Sequence, residues 1–184
     1  SRGPRHCFAG SATFLNYPVN GPSMMRAILF PGQGAQNVGM GRGLCERYPA
    51  ARAIFDAADD VLGYGLSALC SDGPDDQLVR TDRAQPAIYV TGVAAICALE
   101  EAGILDRTGY GACAGLSLGE YTACWFAGVF SFEDGLRLVQ RRGTAMQEAC
   151  DRQPSGMVSL IGADREKAEA VCDHARGDAV LVVA

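Results

Sequence analysis

Histidine is scarce in this sequence: two in 184 residues, His6 and His174. It is the usual general base and a common metal ligand, so acid–base and metal chemistry both start short of their favoured residue. Eight cysteines stand at 7, 45, 70, 97, 113, 124, 150 and 172, yet no two form a Cys-x-x-Cys pair and no Cys-His set has metal-ligand spacing. The pattern argues against a zinc site and marks the cysteines as reduced core thiols. Positive charge is short as well. Sixteen Lys and Arg face 21 Asp and Glu, a net charge of −5, with no basic run beyond the pair Arg141-Arg142. Nothing there neutralises a phosphate backbone, which excludes nucleic acid as a partner. The uncharged stretch 84–99 falls short of the ~18–20 apolar residues of a membrane span, so the chain is expected off the membrane, in the cytoplasm. What remains, 48% hydrophobic and 20% charged, suits a globular protein with a sizeable core.

Residues 1–23 contain three prolines, no acidic residue and no sustained apolar period. Residues 1–24 are therefore predicted to be a disordered leader. Without a starting Met or an amphipathic stretch, it looks more like a translated upstream region than an organelle-targeting peptide. Residues 26–30, RAILF, form an apolar run halted by Pro31-Gly32 and predict a buried strand. Helical spacing follows at 49–62 and 84–103, with Gly103 as the stop. Residues 110–116 are small, apolar and sized for a second strand, leading directly into Ser117 and a helical pattern over 118–126. Ser131 and Asp134 make a capping box, after which Leu136, Val139, Gly143, Met146 and Cys150 recur at helical intervals. At ~100° per residue this stripe turns Arg141 to water and leaves Arg142 only ~70° from its centre, at the core edge. A strand at 157–161, a helix at 164–176 and a strand at 179–183 begin a second unit.

The stretch Gly115-Leu116-Ser117-Leu118-Gly119 carries the most chemistry. Gly-x-Ser-x-Gly between a strand and a helix is a nucleophile elbow, a tight turn that lifts the serine hydroxyl clear of the sheet. The same turn aims the backbone N–H of Leu118 and the positive end of the helix dipole at the serine, where an oxyanion would form. The glycine-rich loop 30–43 fails as a dinucleotide site, because the third glycine of the pattern is replaced by Asn37. It is either a structural turn or a second source of oxyanion-binding N–H groups. Arg142 likewise has two roles open to it. Its stem can snorkel past the core edge, or its guanidinium can bind an acyl group that ends in a carboxylate. His174, near a helix end in a charged segment, looks like a solvated residue.

FPGQGAQ at 30–36, GLSLGEYTA at 115–123 and RRGTAMQEA at 141–149 together resemble the malonyl-CoA:acyl-carrier-protein transacylase family and the related acyltransferase domains of polyketide and fatty acid synthases. Order and separation match from about Met25 onward. The resemblance implies an α/β-hydrolase-like large subdomain over 25–153 and the beginning of a ferredoxin-like small subdomain over 154–184. It implies that Ser117 is the acyl-accepting nucleophile, that Gln33 and Leu118 supply the oxyanion-hole N–H groups, and that Arg142 holds the malonyl carboxylate. Malonyl-CoA and acyl carrier protein would be the substrates, with no cofactor, in ping-pong transfer for fatty acid biosynthesis. Leu116 stands where the family usually has histidine. The family's catalytic histidine lies well after the arginine, and neither His6 nor His174 matches it, so the base is expected in sequence beyond residue 184. The competing expectations are a serine esterase or phospholipase-like hydrolase using the same elbow, and a noncatalytic carrier-protein-binding module.

Overall fold

The computed structural model describes residues 26–153, 156–158 and 160–183. The leader expected at 1–24 lies outside the described residues. The chain divides into two compact units, with the boundary between Arg152 and Gln153.

In the first unit, β1 (Arg26–Phe30) and β2 (Tyr110–Gly115) pair in parallel. A parallel pair needs a long crossover. Here it is helical, comprising α1 (Arg42–Arg47), α2 (Pro49–Leu62), α3 (Leu66–Asp72), α4 (Asp75–Leu78) and α5 (Thr81–Glu101). Then β2 leads to α6 (Gly119–Phe126) and α7 (Phe132–Arg152). Phe30 lies opposite Gly115, so both strands end level and both following loops leave the sheet at its carboxyl end. Open α/β sheets place their ligand sites there.

The core centres on α5, where Ala87, Ile88, Tyr89, Val90, Val93, Ala94 and Ile96 are all buried. Because α5 is apolar nearly all round, it must be enclosed. Phe55, Ala58 and Leu62 of α2, and Phe132, Leu136 and Val139 of α7, belong to the same cluster. The Tyr89 hydroxyl donates to the Phe132 carbonyl at 3.2 Å, and the two rings stack 5.8 Å apart. A Cβ at Gly135 would lie 2.2 Å from that hydroxyl, which is why α7 carries glycine where it crosses Tyr89.

The helix expected at 49–62 is α2, and α5 begins at Thr81, three residues before the apolar periodicity shows itself, because Thr81, Asp82 and Arg83 carry no apolar repeat. Gly103, at φ +67°, ends α5 in the left-handed conformation that glycine tolerates. Ser131 Oγ accepts from the Asp134 N–H at 3.1 Å, as the capping box requires. Two expectations for α7 fail. Met146 and Cys150 continue its stripe in sequence but are exposed. The reason lies in the crossing with α5: a Cβ at Gly143 would lie 3.0 Å from the carbonyl oxygen of Thr81, the first residue of α5. Beyond that crossing α7 meets the first turns of α5 through polar contacts, with Met146 Sδ accepting from Gln85 Nε2 at 3.2 Å and Gln147 Oε1 accepting from the Thr81 N–H at 2.9 Å. The cysteines are correspondingly not uniform core thiols. Cys70 and Cys113 are buried, Cys45, Cys97, Cys124 and Cys172 are half-buried and Cys150 is exposed, while Cys7 lies outside the described residues.

In the second unit, α8 (Arg165–Ala175) has the Asp164 side chain at its start, accepting from the Lys167 N–H at 2.9 Å. The strands expected at 157–161 and 179–183 do not form among the described residues; Ser159 is not among these. Val158 is 84% and Val182 70% exposed. Apolar, β-branched composition favours a strand only when a neighbour takes its N–H and C=O groups, and no ladder partner is present among the described residues of this unit. Among the described residues no helix is long and apolar enough to cross a membrane.

Burial pushes the Cys70 thiol up to about 12 and the Cys113 thiol up to about 11, so neither forms appreciable thiolate, the reactive species, near neutrality. Iodoacetamide at pH 8 is expected to leave both cysteines unmodified in the native protein and to label them in urea. Peptide mass spectrometry reads this directly, and equal labelling in both conditions would contradict the packing described.

Candidate active site

At the end of β2 the chain turns into a helix within three residues. Leu116 donates its N–H to the Phe30 carbonyl at 3.2 Å, and Gly119 donates to the Leu116 carbonyl at 2.9 Å. Between them Ser117 sits at φ +51°, the only non-glycine with positive φ among the described residues. For an L-residue this conformation costs about 1–2 kcal/mol, and such strain concentrates at functional sites. Two glycines make the turn possible. A Cβ on Gly115 would lie 1.9 Å from the Gly119 carbonyl carbon, and one on Gly119 would lie 2.3 Å from the Phe30 carbonyl oxygen. Strand and helix thus touch backbone to backbone. The Ser117 side is left exposed, while Leu118 is fully buried and anchors the turn.

The loop after β1 closes over this turn. A Cβ on Gly32 would lie 2.6 Å from the Leu116 carbonyl oxygen, so the loop runs against the elbow just before Gln33. Gly34, Gly39 and Gly41 take positive φ to fold it. The backbone N–H groups of Gln33 and Leu118 have no hydrogen-bond partner among the described residues, which leaves both able to receive an oxyanion.

Arg142 completes the group. Its Nη2 donates to Ser117 Oγ at 2.8 Å, and its Nη1 donates to Gln85 Oε1 at 2.6 Å. The guanidinium carbon lies 5.8 Å from the centroid of the Tyr121 ring. Arg141, by contrast, is exposed. Gln33 reaches the same cluster through its side chain, with Oε1 accepting from Gln85 Nε2 at 3.4 Å and Nε2 donating to Thr81 Oγ1 at 3.3 Å. The fold therefore brings Ser117 and Arg142 into contact, sets Leu118 beside Ser117 and connects Gln33 to Arg142 through Gln85.

Sequence reasoning missed Gln85, which is completely buried. Its trace was there: a lone amide in an otherwise apolar stretch, Ala84-Gln85-Pro86-Ala87-Ile88. A buried polar side chain has to be hydrogen-bonded, and that requirement points to a partner. No histidine occurs in residues 26–152. His174 stands in the last turn of α8, in the second unit, and His6 lies outside the described residues. Arg142 carries only donors and takes no proton from Ser117. It can hold an anionic group beside the hydroxyl. Leu116, next to Ser117, has 65% of its surface exposed.

A family profile described as acyl transferase domain matches residues 28–182. The mitochondrial malonyl-CoA-acyl carrier protein transacylase of Mus musculus is 43% identical over 157 residues, covering 84% of this chain and 40% of that protein. Among solved structures, the acyl-carrier-protein S-malonyltransferase of Bartonella henselae superposes with a TM-score of 0.74 at 38% identity, covering 85% of this chain and 50% of that one. A malonyl-transacylase in complex with a type II PKS acyl-carrier protein superposes with a TM-score of 0.71 at 39% identity, covering 82% and 48%. The chain thus spans 40% to 50% of the length of these relatives.

The strain at Ser117 has a measurable consequence. Ser117→Gly and Ser117→Ala both remove the hydroxyl and its bond to Arg142, but only glycine tolerates φ +51°. Ser117→Gly is expected to be the more stable of the two by about 1 kcal/mol, read from urea denaturation midpoints. Equal midpoints would mean that the turn is unstrained.

Proposed function

The chain belongs to the acyl transferase domain family, and on that premise we propose that it carries the nucleophile and the acyl-carboxylate clamp of a malonyl-CoA:acyl-carrier-protein transacylase of fatty acid biosynthesis. The observation that carries this reading is the 2.8 Å bond between Arg142 Nη2 and Ser117 Oγ. A fixed cation in contact with the nucleophile is of little use to a neutral acyl group. It suits one with a free carboxylate one carbon away from the reacting carbonyl, as in malonyl.

Ser117 Oγ attacks the thioester carbonyl of malonyl-CoA while a base removes its proton. The negative charge that develops on the carbonyl oxygen is met by the N–H groups of Gln33 and Leu118. Collapse breaks the C–S bond, CoA leaves as the thiol with the proton, and malonyl remains on Ser117 as an ester. The phosphopantetheine thiol of acyl carrier protein then attacks that ester, the C–O bond breaks and Ser117 recovers its proton. Arg142 holds the malonyl carboxylate throughout. The base is a histidine other than His6 and His174, following Arg142 in sequence as the resemblance implies. The reaction uses no cofactor beyond the CoA of its substrate. We assign the protein to the cytoplasm on its composition; the mouse relative is mitochondrial, so cell fractionation is the deciding measurement.

Active protein containing this chain, mixed with malonyl-CoA without carrier protein and quenched, is expected to carry one malonyl group. Intact-mass spectrometry should find it on the native protein and not on Ser117→Ala. Rapid release of free malonate in place of a persistent adduct would favour a hydrolase, and an adduct on Ser117→Ala would displace the nucleophile.

Arg142→Ala is expected to reduce kcat/KM for malonyl transfer by about tenfold to a hundredfold, the usual worth of a charge-assisted pair, while acetyl transfer falls less or rises. Arg141→Ala should leave both rates nearly unchanged. Equal losses for the two acyl groups in Arg142→Ala would remove the clamp from the mechanism.

A further inference from the structure

A primary amide has one acceptor oxygen and two donor hydrogens, and its neighbours decide which end faces where. For the buried Gln85, on α5, that decision comes from Arg142. Because a guanidinium offers only donors, Oε1 must face it, and Nη1 donates to that oxygen at 2.6 Å. Nε2 is turned to the other side, where it donates to Gln33 Oε1 at 3.4 Å and to Met146 Sδ at 3.2 Å. The Gln33 amide is oriented in its turn, since with Oε1 accepting from Gln85 its Nε2 is left to donate to Thr81 Oγ1 at 3.3 Å. All the bonds run in one sense, from guanidinium through two amides to a hydroxyl, and bonds aligned this way strengthen one another. The Thr81 N–H in turn donates to Gln147 Oε1 at 2.9 Å, on the helix that bears Arg142, so the chain of contacts closes into a ring.

We propose that Gln85 is a positioning residue that couples Arg142 to the loop carrying Gln33, so that an acyl carboxylate held at Arg142 also steadies the oxyanion-binding N–H of Gln33. The coupling rests on the roles assigned to Arg142 and Gln33 above. Gln85 touches neither substrate nor reacting atoms. A carboxylate that pins the guanidinium pins the first link of the chain, and each amide passes its orientation to the next. An acyl group without a carboxylate leaves the guanidinium free to turn, and the loop loses that support. Selectivity for malonyl then appears in kcat as well as in KM.

Two substitutions separate the contributions. Gln85→Met keeps the length of the side chain and removes both ends of the relay. Gln85→Glu keeps an acceptor facing Arg142, loses the donors to Gln33 and Met146, and sets a competing carboxylate against the clamp. In active protein, Gln85→Met is expected to lower kcat for malonyl transfer at least about tenfold and acetyl transfer by less, while Gln85→Glu raises the malonyl KM at least about tenfold. Equal losses for both acyl donors, tracking a fall in melting temperature, would make Gln85 a structural residue and overturn the proposal. A second measurement is independent of transfer. In ¹⁵N-labelled protein, Arg142→Ala is expected to shift the side-chain amide resonances of Gln33, and to shift them no longer when Gln85→Met is also present. If the protein transfers no malonyl but the resonances respond in this way, the coupling stands and the proposed function falls. If Gln33 is silent to Arg142→Ala in protein that does transfer malonyl, the coupling is wrong.

Discussion

A hydrogen atom is all that fits at Gly115, where a Cβ would stand 1.9 Å from the carbonyl carbon of Gly119. This contact lets β2 run into α6 with almost no loop, and the rest of the site depends on it. The short turn drives Ser117 to φ +51° and lifts it out of the sheet, and Leu118 is drawn into the core directly behind it. Because Phe30 and Gly115 end their strands side by side, the loop after β1 emerges against the same turn, with Gly32 on the Leu116 carbonyl. Any side chain at either elbow glycine would part strand from helix and dissolve the arrangement of Ser117 and neighbouring N–H groups together.

A second close approach brings in the charge. At Gly143, α7 comes against the first residue of α5, and the residue before it, Arg142, is carried alongside Gln85. An arginine at the edge of a helical stripe ordinarily extends its head into water. Here a completely buried amide meets it instead, and the remaining end of the fork reaches Ser117. Gln85 cannot be left without partners in an apolar helix, so the need to satisfy one buried polar group also aims the cation at the Ser117 hydroxyl.

Much of this was visible along the chain. The bounds of α2, the capping of α7 by Ser131, the stop at Gly103 and the strand-turn-helix around Ser117 all follow from residues a few positions apart. The same helical arithmetic separated Arg142 from Arg141, because the phase of a residue on its own helix needs no knowledge of any other element. The reading failed where an outcome depended on a distant neighbour. Met146 and Cys150 continue the α7 stripe correctly, but they lie past the point where α7 crosses the first residue of α5 and are exposed. Residues 157–161 and 179–183 have the composition of strands, and composition does not supply the adjacent backbone that a strand must bond to.

By itself, then, the sequence determined the local geometry of the turn at Ser117, the helical face of each arginine and a set of motifs sufficient to suggest an acyltransferase. These depend on backbone sterics and helical periodicity, which act between near neighbours in the chain. Only the tertiary structure decided that Gln85 stands between Arg142 and Gln33, partners 57 and 52 positions away, and that Arg142 touches a serine 25 positions before it. Hydrogen bonds form between groups that meet in space at the right distance and orientation, and no pattern of spacing along the chain encodes which buried amide will face which donor.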